Sequence, residues 1–240
     1  MPNTFHLVIL HGWSLDANKK QKWQKFRDEL ASRGITSDLL LIPGLSAPLN
    51  EVWDLGNFVE WLDKEIGTQE HVILLGHSFG GQIAVRYAAT HPDKISRLIL
   101  IDSSGIRNHS FMATTKRMGF QVLAKIGKVF FRSQICRNIL YRLTRERDYQ
   151  LAPPLLRRTM SQILDDEVVN DLPKIACPTL LIWGSDDQVT PLFLGQIFHA
   201  QIPHNRFHII TGARHAPQYT QPEQVAAQIQ DFLFGPKDLP

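Results

Sequence analysis

The chain has 240 residues, 43% of them apolar and 20% charged, which suits one soluble α/β domain with or without an insertion. No apolar run approaches the roughly 18 residues that a transmembrane helix needs. The two cysteines, Cys136 and Cys177, have neither a disulfide framework nor metal-ligand spacing. Because the first residues also lack the basic region and cleavage site of a signal peptide, we expect a cytoplasmic protein.

The predicted elements alternate between short apolar runs and helical patterns. Near-continuous runs of Leu, Ile and Val are typical of parallel strands that are buried on both faces. The predicted strands are His6–Leu10, Asp38–Ile42, His71–Leu75, Arg97–Ile101, Thr179–Trp183 and Arg206–Ile210. The predicted helices are Asp16–Arg33, Asp54–Ile66, Phe79–Thr90, Pro191–Gln201 and Gln221–Phe234. The pattern predicts an α/β fold with a mostly parallel sheet, covered by helices on both faces, that binds ligands at the carboxyl ends of its strands.

The alternation is interrupted once, between the fourth and fifth predicted strands, by a helical and basic stretch. Residues Gly105–Arg158 contain twelve Lys and Arg against two Asp and Glu, a charge of +10, whereas the rest of the chain carries −7. A segment that differs so much from its surroundings is typical of an insertion. We therefore predict a core domain of residues 1–102 and 173–240, with a helical lid at residues 103–172.

A nucleophile motif follows the third predicted strand. The segment Gly76-His77-Ser78-Phe79-Gly80 has the pattern G-x-S-x-G and opens the next predicted helix. Side chains at Gly76 or Gly80 would collide with the neighbouring strand or helix, because the turn at the serine is sharp. The turn would raise the Ser78 hydroxyl above the sheet at a helix N-terminus. We predict that Ser78 is a nucleophile; a purely structural turn is the alternative.

A serine hydroxyl needs a general base, and ten histidines are available. His215 lies in a loop just past the last predicted strand, from which an imidazole can reach Ser78. The other histidines near this strand are better explained as solvated or packed side chains; they are His199, His204 and His208. We therefore predict that His215 is the base.

A carboxylate is needed to set the tautomer of that base. Asp186 and Asp187 both follow the fifth predicted strand, and the G-x-x-D spacing favours Asp187. Asp102 also ends a strand, but a cap of the following turn is the simpler interpretation. The order Ser78, Asp187, His215 along the chain is that of α/β-hydrolases.

An oxyanion would need two backbone N–H donors. The amide of Phe79, directly after the nucleophile, is the first candidate. The second is the amide of Trp13, which Gly12 allows to approach a substrate oxygen in the loop after the first strand.

Four segments resemble the α/β-hydrolase superfamily, over nearly the whole chain: His-Gly-Trp, Gly-His-Ser-Phe-Gly-Gly, Pro-Thr-Leu-Leu-Ile-Trp-Gly-Ser-Asp-Asp and Gly-Ala-Arg-His. The resemblance implies a serine hydrolase that works through an acyl-enzyme on Ser78, without a cofactor or metal. Family members usually have an antiparallel strand pair before the His-Gly loop. Only ten residues precede His11, so we expect that pair to be absent.

The fold hosts many activities, so the substrate must be inferred from other features. We predict hydrolysis of a carboxylic ester of a small to medium, partly apolar substrate. Cleavage of a C–C bond in a vinylogous diketone acid is the alternative, although Trp13 and His77 differ from the residues usual in such enzymes. A non-catalytic ligand-binding protein would not need all three catalytic side chains.

The basic stretch has two explanations. Its apolar positions at helical spacing fit a lid that covers the cleft and exposes its basic residues to solvent; they are Phe111, Met112, Met118, Phe120, Val122, Leu123, Ile126, Val129, Phe130 and Phe131. Alternatively, Lys116, Arg117, Lys125, Lys128 and Arg132 attract an anionic substrate or an anionic membrane surface. Phenylalanines at this spacing do not favour nucleic-acid binding.

Overall fold

The computed structural model describes residues 5–15, 18–106 and 152–235. Within them six strands form one sheet in the order β2-β1-β3-β4-β5-β6, and every neighbouring pair is parallel. The strands are β1 (Phe5–Leu10), β2 (Ile35–Leu40), β3 (Val72–His77), β4 (Ile95–Ile101), β5 (Thr179–Gly184) and β6 (Asn205–Ile210). The predicted parallel α/β sheet is therefore confirmed.

The helices connect successive strands and cover the sheet. They are α1 (Lys19–Ser32), α2 (Leu55–Ile66), α3 (Phe79–Thr90), α4 (Pro154–Asp165), α5 (Leu192–Gln201), α6 (Pro217–Thr220) and α7 (Pro222–Phe234), with a 3₁₀ turn at Leu172–Lys174. Helix α2 begins at a capping box in which the Asp54 carboxylate accepts the N–H of Asn57. Helix α1 is followed by Gly34 with φ 77°, a backbone conformation that glycine adopts without strain. In the part of the chain that the structure describes, no helix is long and apolar enough to span a membrane.

Alternate residues of each strand pack against opposite helical layers, because successive side chains point to opposite faces of a sheet. On β3, for example, Leu74 packs with α2, α3 and α5, whereas Leu75 packs with α1 and α7. Both side chains are fully buried. The burial of both faces explains why these strands are continuous apolar runs.

The second strand lies three residues earlier than predicted, at Ile35–Leu40 rather than Asp38–Ile42. It is an edge strand whose first residues alternate between buried and exposed, so its apolar content is lower than that of the central strands. The apolar pair Leu41 and Ile42 belongs instead to the loop that follows.

The order of the strands creates a crevice at the carboxyl ends of β1 and β3. After β1 the chain moves outward to β2 and then returns to β3 on the other side of β1. The connections therefore leave β1 and β3 in opposite directions, and such a switch point is where ligands bind in open parallel sheets. Leu10 and Gly76 are register partners at this point, so the loops after both strands begin side by side.

Candidate active site

Ser78 occupies the turn between β3 and α3 with a strained backbone. Its φ of 54° and ψ of −118° lie in a region that residues with a side chain rarely adopt, and it is almost completely buried. Its N–H donates to the carbonyl of Ile101 (3.1 Å) and its carbonyl accepts the N–H of Ser104 (3.1 Å). The end of β4 therefore holds both sides of the turn.

The glycines around Ser78 are required by close backbone contacts. A Cβ at Gly76 would lie 2.6 Å from the carbonyl oxygen of Gly80, and one at Gly80 would lie 2.6 Å from the carbonyl carbon of Leu10. A Cβ at Gly12 would lie 3.0 Å from the Cβ of Ser78. Helix α3 and the loop after β1 can approach Ser78 this closely only because these three positions have no side chain.

The loop after β1, which contains Trp13, one of the two expected oxyanion donors, is held by His11. The His11 Nδ1–H donates to the carbonyl of Gly12 (2.8 Å), while its Nε2 accepts the N–H of Ile42 (3.3 Å). Burial lowers the pKa of His11 to about 4, so the ring is neutral and can be a donor and an acceptor at once.

Trp13 and Phe79 lie next to each other, with ring centroids 5.5 Å apart. Phe79 is the first residue of α3, where backbone N–H groups have no acceptor within the helix. Trp13 directly follows Gly12, which packs against Ser78. The structure thus brings the two expected donor residues close to each other beside the Ser78 turn.

Asp187 and His215 form a buried pair at the ends of β5 and β6. The Asp187 Oδ2 accepts the Nδ1–H of His215 at 2.7 Å, and the two side chains are 0% and 6% exposed. The N–H groups of Val189 (2.7 Å) and Thr190 (3.1 Å) donate to the other oxygen, Oδ1. The Thr190 hydroxyl adds a bond to Oδ2 (2.8 Å). These bonds fix the orientation of the carboxylate.

The charge state of Asp187 follows from these contacts. Burial alone would raise its pKa, but the hydrogen bonds from His215, Thr190 and Val189 outweigh burial and lower it. The neighbouring Asp186 is exposed and accepts the hydroxyl of Ser185 instead (2.8 Å). Asp187, which the spacing favours, is therefore the carboxylate that bonds the imidazole.

His215 lies against the strand end that leads to Ser78. Its ring centroid is 5.0 Å from that of His77, the residue that precedes Ser78. Because Asp187 accepts the Nδ1 proton, the other ring nitrogen, Nε2, is the one that can accept a proton. The structure therefore brings together all the site residues that the sequence indicated: Ser78, Asp187, His215, Trp13, Phe79, Gly12, Gly76 and Gly80.

One residue of the site has a different role from the one expected. Asp102 does not cap the turn after β4; its Oδ1 accepts the N–H of Gly184 and its Oδ2 accepts the N–H of Ala216, both at 2.9 Å. Its position directly after an apolar strand is the same signal that identified Asp187. The partners are remote in sequence, so only the assembled sheet shows where its carboxylate points.

The donor set of the site does not favour a metal ion. Within residues 5–15, 18–106 and 152–235, one group brings ligand atoms within 4.8 Å of one another: His77, Asp102 and His215. Both oxygens of Asp102 accept backbone N–H groups, and His215 bonds Asp187. The group fits a hydrogen-bonded network around the imidazole better than a cation site.

Comparisons with known proteins agree with this geometry. Residues 7–228 match the model of a family described as the alpha/beta hydrolase family. The chain is 26% identical to a pimeloyl-[acyl-carrier protein] methyl ester esterase of Neisseria meningitidis serogroup A, over 100% of this chain and 80% of that protein. It is 27% identical to a protein of the same name from Edwardsiella ictaluri, over 95% of this chain and 93% of that protein.

A solved structure extends the similarity to the fold. A membrane phospholipase A, described as a bacterial virulence factor, superposes with a TM-score of 0.72 at 24% identity. The match covers 100% of this chain and 81% of that one.

Proposed function

The chain belongs to the alpha/beta hydrolase family, and we propose that it is a serine hydrolase of carboxylic esters. The observation that carries the proposal is the 2.7 Å bond between Asp187 and His215, beside a serine on a strained turn. A structural turn needs no oriented imidazole, and a binding protein needs no buried Asp–His pair. Together these groups supply the nucleophile, the general base and the carboxylate that orients the base in acyl transfer.

The first half of the reaction is attack on the ester. The Ser78 Oγ bonds the acyl carbon while the His215 Nε2 accepts the hydroxyl proton, and Asp187 stabilises the resulting imidazolium. The negative charge on the former carbonyl oxygen is received by the N–H groups of Trp13 and Phe79. The bond to the alcohol then breaks, and His215 returns the proton to the departing oxygen.

The second half regenerates the enzyme. A water molecule loses a proton to His215 and attacks the acyl carbon, and the same two N–H groups receive the oxyanion. The ester bond to Ser78 breaks, and the serine oxygen takes the proton back. One ester and one water become one acid and one alcohol, and no cofactor is required.

The substrate proposal draws on the relatives. Two relatives that cover nearly all of this chain are methyl ester esterases of an acyl chain on a carrier protein. We infer a substrate with a small alcohol group and a partly apolar acyl chain. Methyl esters of graded acyl length, free and attached to a carrier protein, would define the preference, and a ring-fission diketone acid would test C–C cleavage.

The segment 103–172 is proposed to be a lid over this site. Its described part supports the proposal, because α4 contacts the loops at the carboxyl edge of the sheet. Thr159 accepts the N–H of Trp53 (3.2 Å), and the fully buried Gln82 side chain of α3 donates to the carbonyl of Ile163 (3.1 Å). The predicted apolar face at residues 111–131 lies outside the described residues.

The basic charge of the inserted segment is proposed to attract anionic substrates or surfaces. Most of the +10 charge of residues Gly105–Arg158 lies in residues 107–151, outside the described part of the chain. Salt screens such attraction over about 8–10 Å, so activity on a carboxylate-bearing ester should fall with added salt while a neutral ester of equal size barely responds.

Neutralising Lys116, Arg117, Lys125 and Lys128 should raise KM for the anionic ester alone. Equal salt responses would contradict this role.

The central experiment replaces the nucleophile. Ser78→Ala should lower kcat on a p-nitrophenyl ester by roughly 10⁶-fold, since a serine nucleophile and its base act as a unit. A serine-directed fluorophosphonate should label the wild-type chain at Ser78 and leave the variant unlabelled.

The control is Ser185→Ala, which removes a half-buried loop hydroxyl near the same edge of the sheet. It should keep its label and its activity. Wild-type turnover in Ser78→Ala, with the fold intact by circular dichroism, would contradict the proposed function.

A further inference from the structure

Asp102 lies at the centre of the sheet's carboxyl edge, directly after β4. It is fully buried, and its φ of 44° is in the left-handed region, which costs energy for a residue with a side chain. The regular pairing of β4 with β5 ends at Ile101 and Ile182. Beyond these residues, the Asp102 Oδ1 accepts the N–H of Gly184, the last residue of β5. The side chain thus continues the hydrogen bonding between the two strands.

The other oxygen reaches the loop that carries the proposed base. The Asp102 Oδ2 accepts the N–H of Ala216, the residue directly after His215. Ala216 itself has a φ of 86°, another left-handed backbone that needs outside support. One carboxylate therefore connects the backbone three residues before Asp187 with the backbone one residue after His215.

The loop after β5 and the loop after β6 also contact each other directly. The N–H of Asp186 donates to the carbonyl of Ala213 (2.9 Å), and a Cβ at Gly184 would lie 2.5 Å from the same oxygen. The Thr190 hydroxyl, which bonds Asp187, also lies 3.1 Å from the main-chain carbonyl of Asp102. Both the side chain and the backbone of Asp102 thus contact the surroundings of the Asp187–His215 bond.

The surroundings of Asp102 disfavour its ionised form. Burial and the negative charge of Asp187 raise the pKa of Asp102 to about 8, so its ionised form is costly in the folded chain. Backbone N–H groups favour that form, but they do not overcome the cost. What Asp102 supplies to the two loops is therefore its hydrogen bonds to Gly184 and Ala216 rather than a negative charge.

We propose that Asp102 is a positioning residue, which sets the geometry of the Asp187–His215 pair by accepting the N–H groups of Gly184 and Ala216. The inference rests on the proposed function and adds a residue to it. Asp102 touches no reacting atom; it acts through the backbone of the two loops.

The test compares Asp102→Ala and Asp102→Asn with the wild-type chain. Asp102→Ala removes both acceptors, and we expect kcat to fall about 100-fold, as for a displacement of about 1 Å at a reacting group. KM should change less than about twofold, because Asp102 is not expected to contact the substrate. Asp102→Asn keeps one acceptor oxygen but turns its amide NH2 toward the other backbone donor, so at most one of the two bonds is kept and kcat should also fall.

A spectroscopic readout separates positioning from general damage. The proton between His215 Nδ1 and Asp187 Oδ2 should give a low-field NMR signal that is present in the wild-type chain and shifted or lost in Asp102→Ala. Thr179→Ala is the matched control, because it removes a fully buried hydroxyl at the opposite end of β5 that bonds Cys177. It should lower Tm while kcat and the signal stay unchanged.

The possible results are distinct. Unchanged kcat and an unchanged signal in Asp102→Ala, or in Asp102→Asn, would overturn the inference. An active Ser78→Ala variant would instead overturn the proposed function. If Asp102→Ala does not fold, Asp102→Asn replaces it in the test. A lowered kcat with little change in KM and a shifted NMR signal would support the inference, and wild-type kcat and signal would overturn it.

Discussion

The two halves of the candidate site are built by different forces. Around Ser78, the structure depends on the absence of side chains: Gly12, Gly76 and Gly80 let backbone segments approach within distances that a Cβ forbids. Around His215, it depends on buried hydrogen bonds, which join the imidazole to Asp187 and through it to Thr190.

This difference predicts how substitutions in each half should affect folding and activity. Steric exclusion is short-ranged and acts on the backbone, so a change in the Ser78 half should disturb folding. Hydrogen bonds orient side chains that already have space, so a change in the His215 half should leave the fold and remove reactivity. Four predictions sharpen this contrast.

The largest effect is expected at Gly80. In Gly80→Ala the new methyl group would lie 2.6 Å from the carbonyl carbon of Leu10, a backbone atom that cannot move without shifting β1. We expect a loss of at least about 4 kcal/mol in the free energy of unfolding, enough to prevent folding of many domains. Urea titration measures it. Gly67→Ala is the control, because there the nearest atom is 3.9 Å away; its own loss comes from its positive φ alone. Equal losses would contradict the steric explanation.

Asp187→Asn should have the next largest effect, with the fold retained. An amide cannot hold the His215 tautomer that leaves Nε2 free to accept a proton, and we expect kcat to fall roughly 10⁴-fold. Steady-state kinetics on a p-nitrophenyl ester would measure the loss, with Tm measured alongside. Asp186→Asn, which changes an exposed neighbour, should keep kcat within about twofold. A larger loss in Asp186→Asn than in Asp187→Asn would reverse the assignment.

His11 provides a pH-dependent effect in the Ser78 half. Burial lowers its pKa to about 4 from 6.5, so the unfolded chain binds its proton first as the pH falls. The folded state should therefore lose about 3 kcal/mol between pH 6.5 and pH 4 on account of this residue. Urea unfolding at pH 7 and pH 4.5 should show a steeper loss for the wild-type chain than for His11→Asn. Parallel losses would show that His11 is not responsible.

The smallest effect is expected at Thr190. Thr190→Val removes the hydroxyl that lies 2.8 Å from Asp187 Oδ2 but keeps the backbone N–H that bonds Oδ1. A hydrogen bond to a charged group is worth about 1.5–3 kcal/mol, so kcat should fall roughly tenfold or more. Thr190→Ser, which keeps the hydroxyl, should stay close to the wild-type rate. A Thr190→Ser variant as slow as Thr190→Val would mean that the methyl group, not the hydroxyl, matters.

Most of the fold was predictable because burial on both faces leaves a strong pattern. The central strands are continuous apolar runs, and each was placed to within two residues at either end. The start of the edge strand β2 was displaced by three residues, because only part of that strand is buried. The strained turn at Ser78 was predictable from its glycines, since few residues tolerate such close packing.

The parallel α/β fold was predictable from the alternation of apolar runs and helical patterns along the chain. The Ser78 turn and the choice of Asp187 over Asp186 were predictable from short local motifs. The bonds of Asp102 to two distant loops, and the bond between His11 Nε2 and the N–H of Ile42, are visible only in the tertiary structure. Asp102 bonds Gly184 and Ala216, which lie 82 and 114 positions away in the chain. Hydrogen bonds of this kind are set by which strand ends lie side by side, and that order is a property of the assembled sheet.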